Sequence, residues 1–88
     1  MTEQQFREQL LLEGFEEFVL VEREPGGMLD THRHPFEAKA LVLQGSIEID
    51  CAGGSRNYAA GELFHLHRDA EHAERYGPQG VRYLVGRR

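Results

Sequence analysis

The residues of this chain best suited to chemistry are histidines at positions 32, 34 and 72. Because side chains on an extended strand alternate between its two faces, the single residue between His32 and His34 lets both imidazoles point the same way. Three neutral imidazoles on one side of an ion leave other positions open, as in catalytic zinc sites, and imidazole also suits iron, copper and nickel. The spacing predicts a metal site formed by His32, His34 and His72, provided that the fold returns the third residue to the first two.

Other polar residues give weaker signals. His65 and His67 alternate with apolar residues on a predicted strand, which is typical of histidines that line or support a pocket. The alternative for His67 is that it joins the metal site. Glu37 is expected to be a solvated charge beside Lys39, and the alternative is that it replaces the carboxylate ligand. Exposed polar histidines in a turn-rich acidic protein are the alternative interpretation of the whole set.

Length and composition limit the class of protein. A chain of 88 residues forms one domain with a modest core, for which a metal or a partner subunit is a common supplement. Cys51 is the only cysteine, so no intrachain disulfide can form, and a reducing cytoplasmic location is expected. The formal charge of −5 opposes binding to nucleic acid, and no apolar run is long enough to cross a membrane.

One helix is predicted, close to the N-terminus. Thr2 and Gln5 have the spacing of a capping box, and Phe6 and Leu10 lie on one helical face. Gly14 offers a left-handed stop. The helix should therefore occupy residues 1–14 and place its apolar stripe over an edge or a face of a sheet.

The rest of the chain, residues 15–88, has the pattern of short β-strands. Phe15 to Arg23 alternates, as do residues 46–51, in which Ile47, Ile49 and Cys51 share one face. Turns are expected at Gln44-Gly45, at residues 53–55, at residues 60–62 and around residues 77–80. Seven or eight short strands of this kind predict a sandwich or a barrel.

At this point the sequence resembles the cupins, small jelly-roll β-barrels with two motifs. The first motif joins a glycine, a His-x-His pair, a glutamate and a second glycine, which Gly26, His32, His34 and Gly45 match in spacing. The second motif begins with a glycine and contains a histidine, and Gly61 and His72 stand at those offsets. The resemblance covers about residues 15–85 and implies an all-β barrel with three histidine ligands.

The chain also departs from the cupin pattern. Ala38 stands where the first motif has its liganding glutamate, and Glu37, one position earlier, would face away from both histidines on a regular strand. In the second motif, His67, Asp69 and Tyr76 replace the proline, the glycine and the asparagine. Without the carboxylate, zinc, iron, nickel or copper is expected in preference to manganese.

The functional expectation follows from the motif histidines. Ser46 and Ser55 lie in predicted turns and Cys51 on an apolar face, so no activated nucleophile is expected and any chemistry would be centred on the metal. The resemblance implies a dioxygenase- or isomerase-like enzyme acting on a small molecule; the alternative is a non-catalytic module that binds or senses a small ligand. Exposed sheet edges also favour a homodimer.

Overall fold

A computed structural model describes residues 1–88 and contains one helix and six strands. The bounds are α1 Glu3–Leu12, β1 Glu17–Arg23, β2 Met28–His32, β3 Ala38–Cys51, β4 Gly54–Ala59, β5 Leu63–Leu66 and β6 His72–Arg87. The helix is neither long nor apolar enough to cross a membrane. The predicted all-β jelly-roll barrel with a short N-terminal helix is confirmed.

The two long strands, β3 and β6, run antiparallel beside each other and organise the barrel. One end of this pair is flanked by β1 and β5, in the order β1–β6–β3–β5, and the other end by β2 and β4, in the order β2–β6–β3–β4. Each half is thus a four-stranded antiparallel sheet, and the halves continue into one another through β3 and β6. Side chains from both halves form one buried cluster, which includes Ile47, Ile49, Phe64, Tyr83 and Val85.

Helix α1 covers the outer face of the first half. Thr2 and Gln5 form the predicted capping box, and Gly14 adopts φ +94° just after the helix. Phe6 and Leu10 are buried in a second cluster together with Phe15, Leu41 and Leu84. Both predictions for the helix, its cap and its buried stripe, are confirmed.

The predicted turn at Gln44-Gly45 is wrong, because β3 passes through these residues without reversing. The register with β6 shifts on either side of them, which marks a bulge rather than a hairpin. Gly45 has φ +72°, and a Cβ there would collide with the carbonyl oxygen of Gly80. Glycine is required here for close approach of two backbones and not for chain reversal.

The predicted break around residues 77–80 is wrong for a similar reason. Tyr76 pairs with Ile47 and Val81 pairs with Gly45, so four residues of β6 lie opposite only Ser46 of β3. The extra residues are absorbed locally in the strand, with Gly80 at φ +75°. The barrel therefore has six strands, two of them long, instead of seven or eight short ones.

Candidate metal centre

The three predicted histidines converge inside the second half of the barrel. His32 ends β2 and pairs with His72, the first residue of β6, while His34 follows in the loop after β2. Their donor nitrogens all lie within 4.8 Å of one another. We call His32, His34 and His72 the inner cluster. The structure brings these three residues together as the sequence predicted.

Backbone carbonyls fix the orientation of two of the rings. His32 Nδ1 lies 2.7 Å from the carbonyl oxygen of Asp30, and His72 Nδ1 lies 3.0 Å from that of Ala70. Because a carbonyl oxygen can only accept a hydrogen bond, each Nδ1 carries a proton, so the neutral form of each ring has its lone pair on Nε2. His32 Nε2 is buried and has no hydrogen-bond partner. The inner cluster therefore fits a divalent metal, which accepts such lone pairs.

A buried carboxylate that sequence reasoning missed lies against the inner cluster. Glu74 is 7 % exposed, and its Oε2 lies 3.2 Å from His72 Nε2 and 3.4 Å from His32 Nε2. The Tyr76 hydroxyl donates to Glu74 Oε1 at 3.1 Å. The signal was the period-two alternation of His72, Glu74 and Tyr76, which puts all three on one face of β6.

Charges and burial shift the pKa values of this group in different directions. The hydrogen bond to Glu74 raises the pKa of His72. Burial opposes ionisation of Glu74, but the hydrogen bonds from His72 and Tyr76 outweigh it and hold the pKa of Glu74 below its ordinary value. Burial, followed by the neighbouring histidines, lowers the pKa of His34. These shifts favour the negative form of Glu74, the protonated form of His72 and the neutral form of His34.

A small cavity lies beside the inner cluster within the barrel. Its volume is about 40 Å³, and most of its lining is apolar. His34 and Glu74 face it from the side of the cluster, and His34 stacks on Phe36 with ring centroids 4.9 Å apart. The remaining lining residues are Ala38, Phe64, Leu66, Tyr83, Val85 and Arg87.

The second histidine pair belongs to a different site on the barrel exterior. His65 and His67 are exposed, with their donor atoms within 4.8 Å of each other and of a Glu37 oxygen. We call Glu37, His65 and His67 the outer cluster. The expectation that the two histidines line or support a pocket is wrong, because the apolar residues beside them on β5 take the inward face.

The expected environment of Glu37 also needs correction. Its Oε2 lies 2.6 Å from His65 Nε2 and its Oε1 accepts from Arg88 Nε at 2.6 Å, whereas Lys39 pairs with Glu13 at 2.8 Å. The hydrogen bond from Arg88, and then that with His65, lowers the pKa of Glu37. Glu37 faces away from the inner cluster, as predicted for a regular strand. It therefore offers that cluster no ligand.

Comparison with known proteins places this fold in a family. Residues 19–85 match the model of the cupin domain. A dimethylsulfoniopropionate lyase, DddW of Ruegeria pomeroyi, is 36% identical over 62 residues, which are 70% of this chain and 41% of that protein. The chain thus spans about two fifths of the length of this curated relative.

Solved structures agree on the fold. A protein of unknown function from Rhizobium leguminosarum bv. viciae has a TM-score of 0.75 at 17% identity, with 80% of this chain and 66% of that chain covered. An oxalate decarboxylase variant from Bacillus subtilis has a TM-score of 0.71 at 19% identity, with 80% of this chain and 20% of that chain covered. With the barrel, the motif histidines and the family model in agreement, this chain belongs to the cupin family.

Proposed function

We propose that this cupin binds one divalent transition metal through His32, His34 and His72 and acts with it on a small molecule. The observation that carries the proposal is the buried Nε2 of His32, which has no hydrogen-bond partner and lies among the other donor nitrogens. A buried polar atom without a partner costs free energy, and an ion at this position would satisfy it. Its Nδ1 is already committed to Asp30, so the free lone pair is the one directed at the cluster.

Imidazole donors favour zinc, iron, nickel or copper over manganese as the proposed ion. When bound, such an ion would polarise a carbonyl or hydroxyl group or activate water. The chain itself would hold the rings in place through the carbonyls of Asp30 and Ala70, and would exclude water through the apolar cavity wall. The cavity of about 40 Å³ supports a substrate that inserts only a few heavy atoms.

The proposed reaction class is that of a small metal-dependent dioxygenase or isomerase. The inner cluster contains no serine, threonine or cysteine, and the nearby Tyr76 hydroxyl, which donates to Glu74, has a pKa raised by burial and by the negative charge of Glu74. This supports chemistry centred on the ion. The named relatives include a lyase and a decarboxylase, and both names describe enzymes acting on small molecules. Those activities belong to those proteins; for this one they support an enzyme acting on a small molecule and do not favour a dioxygenase over an isomerase.

Metal analysis of untagged protein tests the proposal. We expect one equivalent of a transition metal after reconstitution and removal of excess ion. His72→Ala should lose this equivalent, whereas His67→Ala, which removes an exposed imidazole of the outer cluster, should keep it. Protein that holds no ion under any reconstitution, or that holds it equally well after His72→Ala, would contradict the proposal.

A second candidate function is a non-catalytic module that binds a small ligand. Ala38, which replaces the glutamate of the first cupin motif, favours this alternative, because a site without that carboxylate can hold a ligand without turning it over. The two functions are distinguished by incubating metal-loaded protein with 1,2-diketones, catechols and keto-sugars in air. Binding with oxygen uptake or product formation supports the enzyme, and binding without either supports the module.

We also propose a homodimer in a reducing cytoplasm. Met28 and Leu29 on β2 and Leu20 on β1 are exposed, as expected for strands that a second copy covers. Cys51 is a free, half-buried thiol packed against the core, which suits a reducing compartment. Sedimentation velocity over a range of concentrations tests the dimer, and a monomer at every concentration would exclude it.

A further inference from the structure

Glu74 occupies the position that a carboxylate ligand of the inner cluster would need. Its side chain is the only buried carboxylate of the barrel, and it lies on the same strand face as His72, two residues further along β6. The cupin first motif would supply its glutamate from β3, where this chain has Ala38. The carboxylate found in the barrel comes from β6 instead.

We propose that Glu74 is a fourth ligand of the ion, so that this chain has moved the carboxylate of the site from β3 to β6. The inference rests on the proposed function of the inner cluster. Two ligand atoms that each lie about 2.1 Å from one ion are about 3.0 Å apart at a right angle and about 3.4 Å apart at a tetrahedral angle. The separations from Glu74 Oε2 to the two Nε2 atoms, 3.2 and 3.4 Å, match this range.

The hydrogen bonds of the site support the same assignment. With both Nδ1 atoms bonded to backbone carbonyls, His32 and His72 must bind an ion through Nε2. A metal-bound Nε2 carries no proton, so His72 can no longer donate to Glu74 Oε2 once the ion is present. A buried carboxylate needs a cationic partner or hydrogen bonds, and Tyr76 supplies a donor only to Oε1. The ion is the partner left for Oε2.

A carboxylate ligand changes the expected choice of ion. The preference for zinc, iron, nickel or copper over manganese assumed a site of neutral imidazoles only. Glu74 adds one negative charge and an oxygen donor, both of which manganese and iron(II) favour. The inference therefore predicts that manganese also binds, and that its binding depends on Glu74 more strongly than zinc binding does.

Calorimetric titration of metal-free protein tests the role of Glu74. The background carries His65→Ala and His67→Ala, so that the outer cluster contributes no signal. In this background we expect Glu74→Gln to weaken Zn²⁺ binding by about 100-fold and Mn²⁺ binding by a larger factor, since even groups that only support a ligand contribute about 10- to 100-fold. The matched control is Glu71→Gln, which removes the same charge from an exposed side chain paired with Arg33.

The outcomes separate the inference from the proposed function. If Glu74→Gln binds as tightly as Glu71→Gln, Glu74 is not a ligand, while metal binding by the histidines stands. If the background protein binds no metal, the proposed function fails first. A further measurement needs no variant: the infrared difference spectrum between metal-loaded and metal-free protein should contain a shifted carboxylate band. A spectrum with imidazole bands alone would overturn the inference even if Glu74→Gln failed to fold.

Discussion

The chain contains two His-x-His pairs, His32/His34 and His65/His67, and one lies inside the barrel while the other lies on its exterior. His32 and His34 lie near a buried third imidazole and a buried carboxylate, and the buried His32 Nε2 has no hydrogen-bond partner. His65 and His67 lie on the exposed side of β5, and their carboxylate neighbour is already bound to a cation, Arg88. The i, i+2 spacing of two histidines thus predicts that both side chains share one face of a strand. It does not predict whether that face points into or out of the barrel.

The two histidine pairs differ in the residues that lie opposite them on the neighbouring strands. The inner pair reaches His72 because β2 and β6 are hydrogen-bonded neighbours, with His32 directly opposite His72. In the outer pair, His65 and His67, the residue opposite His65 is Lys39 of β3. The Lys39 side chain is a cation and offers no ligand. A metal site in a small barrel depends on cross-strand partners that the local motif does not contain.

The largest expected effect tests whether β5 stabilises the barrel only through its inward face. Phe64→Ala should destabilise metal-free protein by about 3–5 kcal/mol, because Phe64 is buried in the main core cluster. His65→Ala, on the outward face, should cost less than about 1 kcal/mol. Urea unfolding with a chelator present measures both. Equal costs would show that the outer cluster also holds the barrel together.

The next effect concerns metal-dependent stability. At 100 times its dissociation constant, an ion should add about 2.7 kcal/mol, or roughly 10–20 °C in melting temperature. The double variant His65→Ala/His67→Ala should keep this gain, and His32→Ala/His34→Ala should lose it. Thermal melts with and without Zn²⁺ make the comparison. If the stabilisation by Zn²⁺ is lost in the His65→Ala/His67→Ala variant instead, the ion binds at the outer cluster and our proposal is wrong.

A third effect is the pH dependence of that gain. The pKa of His72 is raised above 6.5, and its Nε2 must lose a proton to bind an ion, so the stabilisation by metal should fall as the pH drops through this raised value. The His72–Glu74 pair alone acts in the opposite sense in metal-free protein: below pH 6.5 its contribution is present as long as Glu74 is ionised, and it is lost as the pH rises past the raised pKa of His72. Melts across this pH range, with and without Zn²⁺, should therefore show a metal gain that grows with pH. A gain independent of pH would argue against ligation by His72.

The smallest expected effect lies in the outer cluster. The pKa of Glu37 is lowered, so its ion pairs stabilise the fold above pH 4.5 and lose this contribution as the pH falls through the lowered value. Glu37→Gln should cost less than about 1 kcal/mol at neutral pH, because water screens the exposed partners. Unfolding at pH 7 and at low pH measures the change, with Glu22→Gln as an exposed control. A larger loss would mean that Arg88 and His65 are more tightly coupled to Glu37 than an exposed pair.

Local patterns predicted those features that depend on local physics. The capping box of Thr2 and Gln5 is a contact between residues three apart, and the alternation of residues 46–51 reflects one buried face. The turn predicted at Gln44-Gly45 is wrong because glycine occurs in both tight turns and bulges. Only the close approach of Gly80 from β6 distinguishes the two here. A pattern of neighbouring residues cannot predict such a contact, because its two residues are far apart in the sequence.

The site was predicted in part for the same reason. His32, His34 and His72 matched a motif, so their meeting could be anticipated. Glu74 matched no motif and was missed, although the predicted role of His72 as a ligand, combined with period-two alternation, places Glu74 on the same strand face. The partner of Glu37 was also missed, since Arg88 reaches it from the far end of β6.

The arrangement of β6 has a consequence for the order in which the protein assembles. This strand pairs with β1, β2 and β3, and it follows all of them in the chain. While the ribosome is still making residues before 72, neither half of the barrel has its central partner, and β1 has no strand beside it. Folding should therefore wait until the last strand emerges, and an ion can find its full set of donors only after translation of that segment.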